Sequence, residues 1–358
     1  MLVALLAAPA VALLFGSSPL AERPGQSESQ KLRDWWVVCD NVRTCTAMGF
    51  QTGEIRFGAG PYVWLRRAPG PDAELEVAVG LGWADMENGA AAGERARLRV
   101  EGRTPRDFDG VVTQNEDTGV LLVRFRGERA LALVAAMTDG ERITVTSAGK
   151  PMGQISLSGS SASLRFIDDR QGRAGGVTAL VAKGPKPASA VPAAPPLPVV
   201  RLAPAVAQDD GEDGLALPPA LARLHEVKQC IEDNADEDGG FSNVGRQRLS
   251  QTEYLWAVPC GRGAYNFSSR YFIAARDGSS PRSAGLEGYD DTLVNGGYDP
   301  ESRTLQAFSK GRGIGDCGDE SEWGWDGRRF RLIRRTFMDE CLGVPSEMWP
   351  TFYQARTE

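Results

Sequence analysis

The stretch DWWVVCDNVRTCTAMGF, residues 34–50, contains two cysteines six positions apart with a turn signal between them. β-Branched and aromatic residues flank the turn residues Asp40 and Asn41, so the stretch predicts two short strands joined by a reversal. Cys39 and Cys45 then face each other with Cα atoms about 5 Å apart, which is within the range of a disulfide. We expect an antiparallel hairpin closed by a covalent bond.

The composition of the chain argues against a metal or redox role for this cysteine pair. A structural zinc site needs four ligands with closely spaced Cys or His pairs, and a thioredoxin-like site needs a CxxC motif. The chain has a single histidine, His225, and no CxxC motif. We therefore interpret the pair as a structural staple. The even cysteine count predicts disulfides; six cysteines allow 15 connectivities, and their spacing favours nearest neighbours, Cys39–Cys45, Cys230–Cys260 and Cys317–Cys341.

The first residues predict export, which agrees with disulfide formation in an oxidising compartment. LVALLAAPAVALLF, residues 2–15, is uncharged and has the length of a signal-peptide core, and small residues follow it. We predict a signal peptide over residues 1–21 and a periplasmic or secreted protein. The run is shorter than the roughly 20 apolar residues that span a bilayer, so we expect no permanent membrane span.

A Pro/Ala-rich segment divides the rest of the chain. KGPKPASAVPAAPPLPVVRLAPAVAQDDGEDG begins at Lys183 and ends in an acidic run, a composition that cannot bury a core of its own. We predict an extended or disordered linker over residues 183–217. It separates an N-terminal domain, residues 31–182, from a C-terminal domain, residues 218–358, and both have ordinary domain sizes.

Both predicted domains are rich in short strands. In the first, ELEVAVGL and similar alternating segments predict antiparallel strands with one buried face each, arranged as a sandwich or an open sheet. Helices are predicted in GERALALVAAMTDG, ending at Gly140, and in SGSSASLRFIDDRQGRAGG, with a serine cap near Ser160 and a stop at Gly172 or Gly175.

The second domain should begin with one helix, LPPALARLHEVKQCI, and continue as a meander of strands. WDG predicts a hairpin because Asp-Gly accepts the positive φ angles of a tight turn, and the Asp-Pro of GGYDPESRTLQ predicts another reversal. The predicted fold class is mainly β (α+β): two antiparallel β-rich domains, each with one or two short helices.

Several segments resemble known families. DWWVVCDNVRTCTAMGF, DDRQGRAGGVTALVAKGP and YDPESRTLQAFSKGRGIGDCG, followed by WGWDGRRFRLI, DEC and MWPTFYQA, resemble the proteobacterial secreted family known as domain of unknown function 1176. The similarity runs over most of the mature chain, including the three predicted disulfides, and implies an exported protein of a Gram-negative bacterium, without implying a reaction. The first domain also resembles the invasion-associated locus B family, through the WVVC opening and the strand and capped helix of ISLSGSSASLRF.

The glycine-rich segment KGRGIGDCG is a candidate ligand loop. It has the glycine density of a phosphate loop but lacks the strand-to-helix context and the GKS or GKT ending. Two interpretations stay open: a loop leading into the Cys317 disulfide, or an anion-binding loop that uses Lys310 and Arg312 with Asp316 beside them. Trp323 and Trp325 share parity on one strand and would fill a core or form a ligand platform.

A second candidate is an acidic loop with a partial calcium pattern. Asn234, Asp236 and Asp238 alternate as ligands do in an EF-hand loop, but Gly245 stands where a bidentate glutamate is required. The two interpretations are a solvated acidic loop and a weak calcium site. We expect no other cofactor.

Catalytic constellations that use histidine are disfavoured because His225 lies in a predicted helix beside Glu226, on a solvated or half-buried face. Carboxylate chemistry remains open, and its candidates are Asp290, Asp291, Asp316 and Asp319. The arginine cluster Arg328, Arg329, Arg331, Arg334 and Arg335 has two interpretations, a contact for acidic glycans or another protein, and a solvated strand edge that resists edge pairing; we favour the strand edge.

The net charge of −7 argues against nucleic acid as a partner. We expect a non-enzymatic exported protein that binds an envelope protein or a cell-wall glycan. The alternatives are a carboxylate-dependent hydrolase in the C-terminal domain and a structural calcium or anion binder.

Overall fold

The structure is a computed structural model that describes residues 27–52, 60–83, 89–116, 118–209, 212–233 and 244–358. The predicted signal peptide and the candidate calcium ligands Asn234, Asp236 and Asp238 lie outside the described residues. The fold class is confirmed: the chain is mainly β, with antiparallel sheets and a few short helices.

The N-terminal region contains two antiparallel sheets and two helices. Its elements are β1 (Glu28–Leu32), β2 (Trp35–Cys39), β3 (Cys45–Phe50), β4 (Tyr62–Arg67), β5 (Leu75–Trp83), β6 (Arg95–Gly102), β7 (Arg106–Val111), β8 (Thr113–Gln114), β9 (Val120–Phe125), α1 (Gly127–Asp139), β10 (Gly140–Ser147), β11 (Lys150–Ser156) and α2 (Ser160–Arg170). A seven-stranded sheet has the order β1-β2-β3-β4-β5-β9-β8, and a four-stranded sheet has the order β11-β10-β6-β7. One apolar core joins the two sheets and both helices.

The opening hairpin forms as predicted. Strands β2 and β3 are antiparallel, Cys39 pairs directly with Cys45, and the two sulfurs are bonded. The predicted pairs Cys230–Cys260 and Cys317–Cys341 are also confirmed, so all six cysteines are in disulfides.

Two details of the N-terminal prediction are wrong. Gly159, not a serine, precedes helix α2; its φ of 103° suits glycine, and a Cβ there would lie 1.8 Å from the carbonyl oxygen of Leu32. The hydroxyl of Ser160 instead donates to the carbonyl of Met137. The predicted stop is correct, because α2 ends just before Gly172, which has a φ of 68°.

The second wrong prediction is that each strand has one buried face. Every residue of β2 and β3 is buried, and Ala78 of β5 lies in a different core from its neighbours Val77 and Val79. The seven-stranded sheet is covered on both faces because the C-terminal region packs against the face that a single domain would leave in solvent.

The C-terminal region follows an extended segment. Its elements are β12 (Val199–Val200), β13 (Glu212–Leu215), α3 (Pro219–Ala222), α4 (His225–Asp233), β14 (Val244–Arg248), β15 (Tyr254–Arg262), β16 (Phe267–Ala274), β17 (Arg282–Ser283), β18 (Thr292–Val294), β19 (Gly297–Asp299), β20 (Thr304–Lys310), β21 (Gly318–Trp325), β22 (Phe330–Met338), β23 (Thr351–Gln354) and β24 (Arg356–Thr357). The single helix predicted at its start is wrong: the N–H of Leu224 bonds to the carbonyl of Leu221 and closes α3 before α4 begins.

Two large sheets and the short β12–β24 pair build the C-terminal region. One has the order β13-β14-β15-β16-β17 with β18 also paired to β16, and the other has the order β19-β20-β21-β22-β23. The predicted WDG hairpin joins β21 to β22, with Gly327 at a φ of 93°. The arginine-rich strand β22 pairs with β21 on one side and β23 on the other, so the interpretation of it as a sheet edge is wrong.

The segment after residue 182 is extended and bonded to the C-terminal region. Strand β12 runs parallel to β24, and the N–H of Ala203 donates to the carbonyl of Trp325. Val191 and Val200 are buried. The division of the chain into two domains stays a prediction.

The two regions share an apolar cluster, which we call the junction core. It contains Trp36, Val38, Met48, Phe50, Tyr62, Trp64, Ala78, Val120 and Leu122 from the N-terminal region, and Cys317, Met338, Val344, Met348 and Trp349 from the C-terminal region. Polar contacts accompany it: the indole N–H of Trp64 donates to the carbonyl of Met348 at 2.8 Å, and Asn41 exchanges two hydrogen bonds with the backbone of Gln354.

Candidate functional site

The candidate catalytic carboxylates are held in separate structural contacts. Asp291 is buried and accepts hydrogen bonds from the hydroxyl of Ser283 and the N–H of Leu286. Asp290 is exposed and accepts the N–H of Thr292. These two carboxylates close the turn before β18, and neither interacts with the remaining candidates through any described contact.

The glycine-rich loop is stabilised internally. Arg312 donates from two nitrogens to both carboxylate oxygens of the buried Asp316, and Asp316 also accepts the N–H of Gly343. The ammonium of Lys310 lies 5.7 Å from the ring centroid of Phe308. The loop leads into the Cys317–Cys341 disulfide, as the first interpretation of KGRGIGDCG expects. The hydrogen bonds to Asp316 raise the pKa of Arg312.

Trp323 and Trp325 fill the core between the two C-terminal sheets. Both are almost fully buried, and the indole N–H of Trp323 donates to the carbonyl of Glu287 at 3.0 Å. Neither side chain forms an exposed platform, so the platform interpretation is wrong. A face of β21 that buries tryptophan must present its other residues on the opposite side of the sheet.

That opposite side holds a cleft that the sequence reasoning missed. Its volume is about 420 Å³. It is lined by Asn295, Gly297, Gln306, Ala307, Phe308, Glu320, Ser321, Glu322, Arg334 and Thr336. Apart from Asn295, the polar residues come from three adjacent strands, β20, β21 and β22, so the sheet register fixes their spacing.

Two parallel rows of side chains form the floor of this cleft. Gln306 pairs with Glu322, which pairs with Arg334. In the next row Phe308 pairs with Glu320, which pairs with Thr336. Directly paired residues point to the same face, so each row brings its three side chains together.

The cleft is open at one row and closed at the other. Gln306 and Arg334 are exposed and Glu322 is half-buried, whereas Thr336 is buried and Phe308 contacts Trp349 of the junction core, with ring centroids 5.6 Å apart. A ligand would therefore meet the amide, carboxylate and guanidinium of the open row first.

The open row keeps its hydrogen-bonding capacity. Within the residues that the structure describes, Gln306, Glu322 and Arg334 make no side-chain hydrogen bond or ion pair, although Glu322 and Arg334 are direct neighbours. In the closed row, the hydroxyl of Thr336 donates to Glu320 across a long 3.4 Å contact. Donors and acceptors are thus available to a ligand at the floor.

A polar network supports the floor from below. Arg335 donates twice to Asp319, and the hydroxyl of Tyr289 donates to Asp319 at 2.9 Å. Burial acts to lower the pKa of Arg335, but its bonds to Asp319 outweigh that effect and raise it. Burial raises the pKa of Tyr289 to about 12. Asp319, one of the candidate catalytic residues, is therefore an ion-pair partner beneath the sheet.

Asn295 connects the cleft to the neighbouring loops. It has a left-handed φ of 48°, and its side-chain N–H groups donate to the carbonyl of Phe308 at 2.8 Å and to Asn266 at 3.0 Å. Its side-chain oxygen accepts the N–H of Phe267. One residue therefore fixes the wall of the cleft and the two loops beside it.

Other candidate groups have structural surroundings or lie apart. His225 is exposed at the start of α4. In the N-terminal region, the buried Asp168 accepts three backbone N–H bonds from residues 180–182, and the buried Arg173 donates to Gly70 and Thr178. These contacts explain the DDRQGRAGG segment as a folded loop.

Over the described part of the chain, no cluster of His, Cys, Asp and Glu has the arrangement of a metal site. The candidate calcium residues Asn234, Asp236 and Asp238 lie outside that part. In the same described residues, none of the helices is both long enough and apolar enough to cross a bilayer.

Comparisons with known proteins give a family without a known function. The model of a family described as a protein of unknown function, DUF1176, matches residues 29–356. The uncharacterised protein YpfG of Escherichia coli strain K12 is 29% identical over 337 residues, which cover 90% of this chain and 92% of the relative. No solved structure matches the chain. The resemblance to the invasion-associated locus B family stays a prediction.

Proposed function

The chain belongs to the DUF1176 family of proteins of unknown function, and we propose that it is a non-enzymatic binding protein of the bacterial envelope. Its ligand in this proposal is a cell-wall glycan, bound in the cleft of the five-stranded sheet. The observation that carries the proposal is the open row of Gln306, Glu322 and Arg334, three polar side chains without partners among the described residues.

The chemistry of the cleft favours a hydroxyl-rich ligand. Amide, carboxylate and guanidinium groups offer both donors and acceptors to sugar hydroxyls. Each exchanges hydrogen bonds with water for hydrogen bonds with the ligand, a net gain of about 0.5–1.5 kcal/mol per bond. An open floor that crosses three strands suits a chain-like ligand better than a small apolar molecule, which needs an enclosed, mostly apolar pocket.

The export part of the proposal is supported by the cysteines. Three disulfides and no unpaired cysteine are typical of proteins that fold in an oxidising compartment, such as the periplasm or the exterior. A cell-wall glycan is an abundant polar polymer in that compartment.

Co-sedimentation of the oxidised full chain with purified insoluble cell wall tests this function. The double variant Gln306→Ala/Arg334→Ala should weaken binding by about tenfold or more, because it removes two polar contacts of roughly 1 kcal/mol each. Arg124→Ala is the matched control, since Arg124 is an exposed strand arginine of the N-terminal region. A folded double variant that sediments as the wild type does would refute the assignment of the cleft.

A second candidate is a glycan hydrolase, favoured by Glu320 and Glu322. They lie two positions apart on one face of β21, before the bulge at Trp323, so their Cα atoms are about 7 Å apart. Glycosidases use two carboxyl groups at separations of several ångströms. Release of reducing ends from cell wall, abolished by Glu320→Gln and by Glu322→Gln separately, would establish this reaction. Activity that survives both changes would exclude these residues.

The calcium alternative rests on residues outside the described part. It predicts that the thermal midpoint rises with millimolar calcium, because a ligand that binds the folded state stabilises it. An unchanged midpoint would eliminate it.

A further inference from the structure

Three large apolar side chains are exposed together at one end of the C-terminal region. Tyr265, Phe267 and Ile314 are 38%, 55% and 62% exposed. We call these three residues the apolar tip. Tyr265 lies in the turn that joins β15 to β16, Phe267 is the first residue of β16, and Ile314 lies in the glycine-rich loop between β20 and β21. Single exposed apolar side chains are common on protein surfaces, but several exposed together mark an interaction site.

The two loops that carry the apolar tip are fixed to each other. The side chain of Asn266 donates to the carbonyl of Lys310 at 2.9 Å and accepts the N–H of Lys310 at 3.1 Å. The hydroxyl of Tyr265 donates to the carbonyl of Gly311 at 3.4 Å. The exposure of the apolar side chains is therefore built into the fold, because hydrogen bonds between side chains and the backbone hold both loops in place.

The surroundings of the apolar tip are basic in an acidic protein. Residues 261–268 and 310–316 contain three cations, Arg262, Lys310 and Arg312, and one carboxylate, Asp316, which gives a local net charge of 3 − 1 = +2. The whole chain carries −7. Asp316 is buried and both of its oxygens accept from Arg312, so this pair is close to neutral and the local excess of positive charge comes from Arg262 and Lys310.

We propose that the apolar tip docks this protein on an anionic lipid surface. Aromatic and aliphatic side chains enter the boundary between headgroups and acyl chains, and nearby Lys and Arg are attracted to anionic headgroups. The tip residues are exposed at the loop end of strands that are already paired, which suits insertion into a lipid surface more than capture of a peptide, since a peptide needs a groove or a free strand edge. This inference does not depend on the glycan cleft.

The cleft and the apolar tip are adjacent in the structure. Asn295 lines the cleft and bonds both to Phe308 and to the loop that contains Asn266 and Phe267. A protein held on a lipid surface by the tip would thus keep the cleft close to that surface. Phospholipid faces both sides of the bacterial envelope space, so a lipid surface is accessible to an exported protein.

Flotation of the oxidised full chain with vesicles tests the proposal. Wild type should float with vesicles of equal parts phosphatidylglycerol and phosphatidylcholine, and should float much less with phosphatidylcholine alone or at high salt. Phe267→Ser/Ile314→Ser should lower the bound fraction by about tenfold or more, since two inserted apolar side chains are lost. Lys310→Gln should weaken binding to the anionic vesicles selectively.

Leu131→Ser/Val177→Ser is the matched control. These side chains are 49% and 59% exposed and lie in the N-terminal region, so the change removes similar apolar surface away from the tip. The control should bind as the wild type does, and circular dichroism should show that all variants are folded. The proposal is overturned if the wild type does not bind anionic vesicles, if it binds neutral vesicles equally well, or if the control loses as much binding as the tip variant.

Discussion

Replacing Asn41 by alanine should lower the free energy of unfolding of the whole chain by about 2–4 kcal/mol. The side-chain N–H of Asn41 donates to the carbonyl of Gln354 at 2.9 Å, and its oxygen accepts the N–H of Gln354 at 2.8 Å. Asn41 is buried, so the alanine variant leaves two backbone groups of β23 without partners. Each unsatisfied buried group costs about 1–3 kcal/mol, and the half-buried position of Gln354 places the cost in the lower part of that range.

Guanidinium unfolding of the oxidised protein, followed by tryptophan fluorescence and by circular dichroism, measures this change. The junction core predicts that the two probes report coincident transitions, because neither region can unfold without exposing it. Lys31→Met is the control: Lys31 forms exposed ion pairs with Asp339 and Glu340 across the same junction, and their loss should cost less than about 1 kcal/mol. An Asn41→Ala variant within about 0.5 kcal/mol of the wild type would refute the reasoning.

Three further results are expected. Cys39→Ala/Cys45→Ala should cost at least about 2 kcal/mol in the same titration, from loop entropy, and a smaller loss would show that the staple is dispensable. Gly318→Ala should lower the thermal midpoint strongly, because Gly318 has a φ of 140° and an added Cβ would lie 2.0 Å from the carbonyl oxygen of Ser309. Gly313→Ala is the control and should change the midpoint little, since the nearest atom to its Cβ would be 3.5 Å away. Equal midpoints for the two variants would contradict this. Burial raises the pKa of Tyr289 and of Tyr298 to about 12, so the unfolded chain ionises first, and their contribution to stability is complete below pH 10 and is lost as the pH rises towards 12. An alkaline titration by tyrosine absorbance checks this, since ionisation of both near pH 10 in the folded protein would be inconsistent with burial.

The features that the sequence predicted well depend on neighbouring residues. The Cys39–Cys45 register follows from parity around a short turn, and the end of helix α1 at Gly140 follows from local helix-stop chemistry. The disulfide pairs follow because each joins segments close in the chain. None of these needs knowledge of how distant parts of the chain meet.

The features that were missed depend on contacts between distant residues. In β2, the five consecutive apolar residues WWVVC already violate the alternation of a sheet with one solvent face, and this sequence signal would have indicated packing on both sides. The serine cap failed because residue 159 approaches the carbonyl of Leu32, more than a hundred positions earlier in the chain. Local propensity does not encode that approach.

The cleft was missed for a related reason. The shared parity of Trp323 and Trp325 identifies one face of β21, and strict alternation then assigns Glu320 and Glu322 to the other face. Which face is open depends on the core beneath it, and that core joins β21 to residues of the six-stranded sheet. The row of Gln306, Glu322 and Arg334 can be recognised as a candidate site only after the register of β20, β21 and β22 is known.

The register also explains how the disulfide hairpin relates to the cleft. Arg334, the last residue of the open row, pairs with Gln354 of the edge strand β23, and Gln354 bonds to Asp40 and Asn41 in the hairpin turn. A four-residue edge strand is weakly held by its own sheet, since it is bonded along one side. The hairpin supplies the missing partners, and the Cys39–Cys45 bond keeps its turn in the shape that can do so. The staple at one end of the sequence therefore stabilises the strand that borders the cleft at the other end.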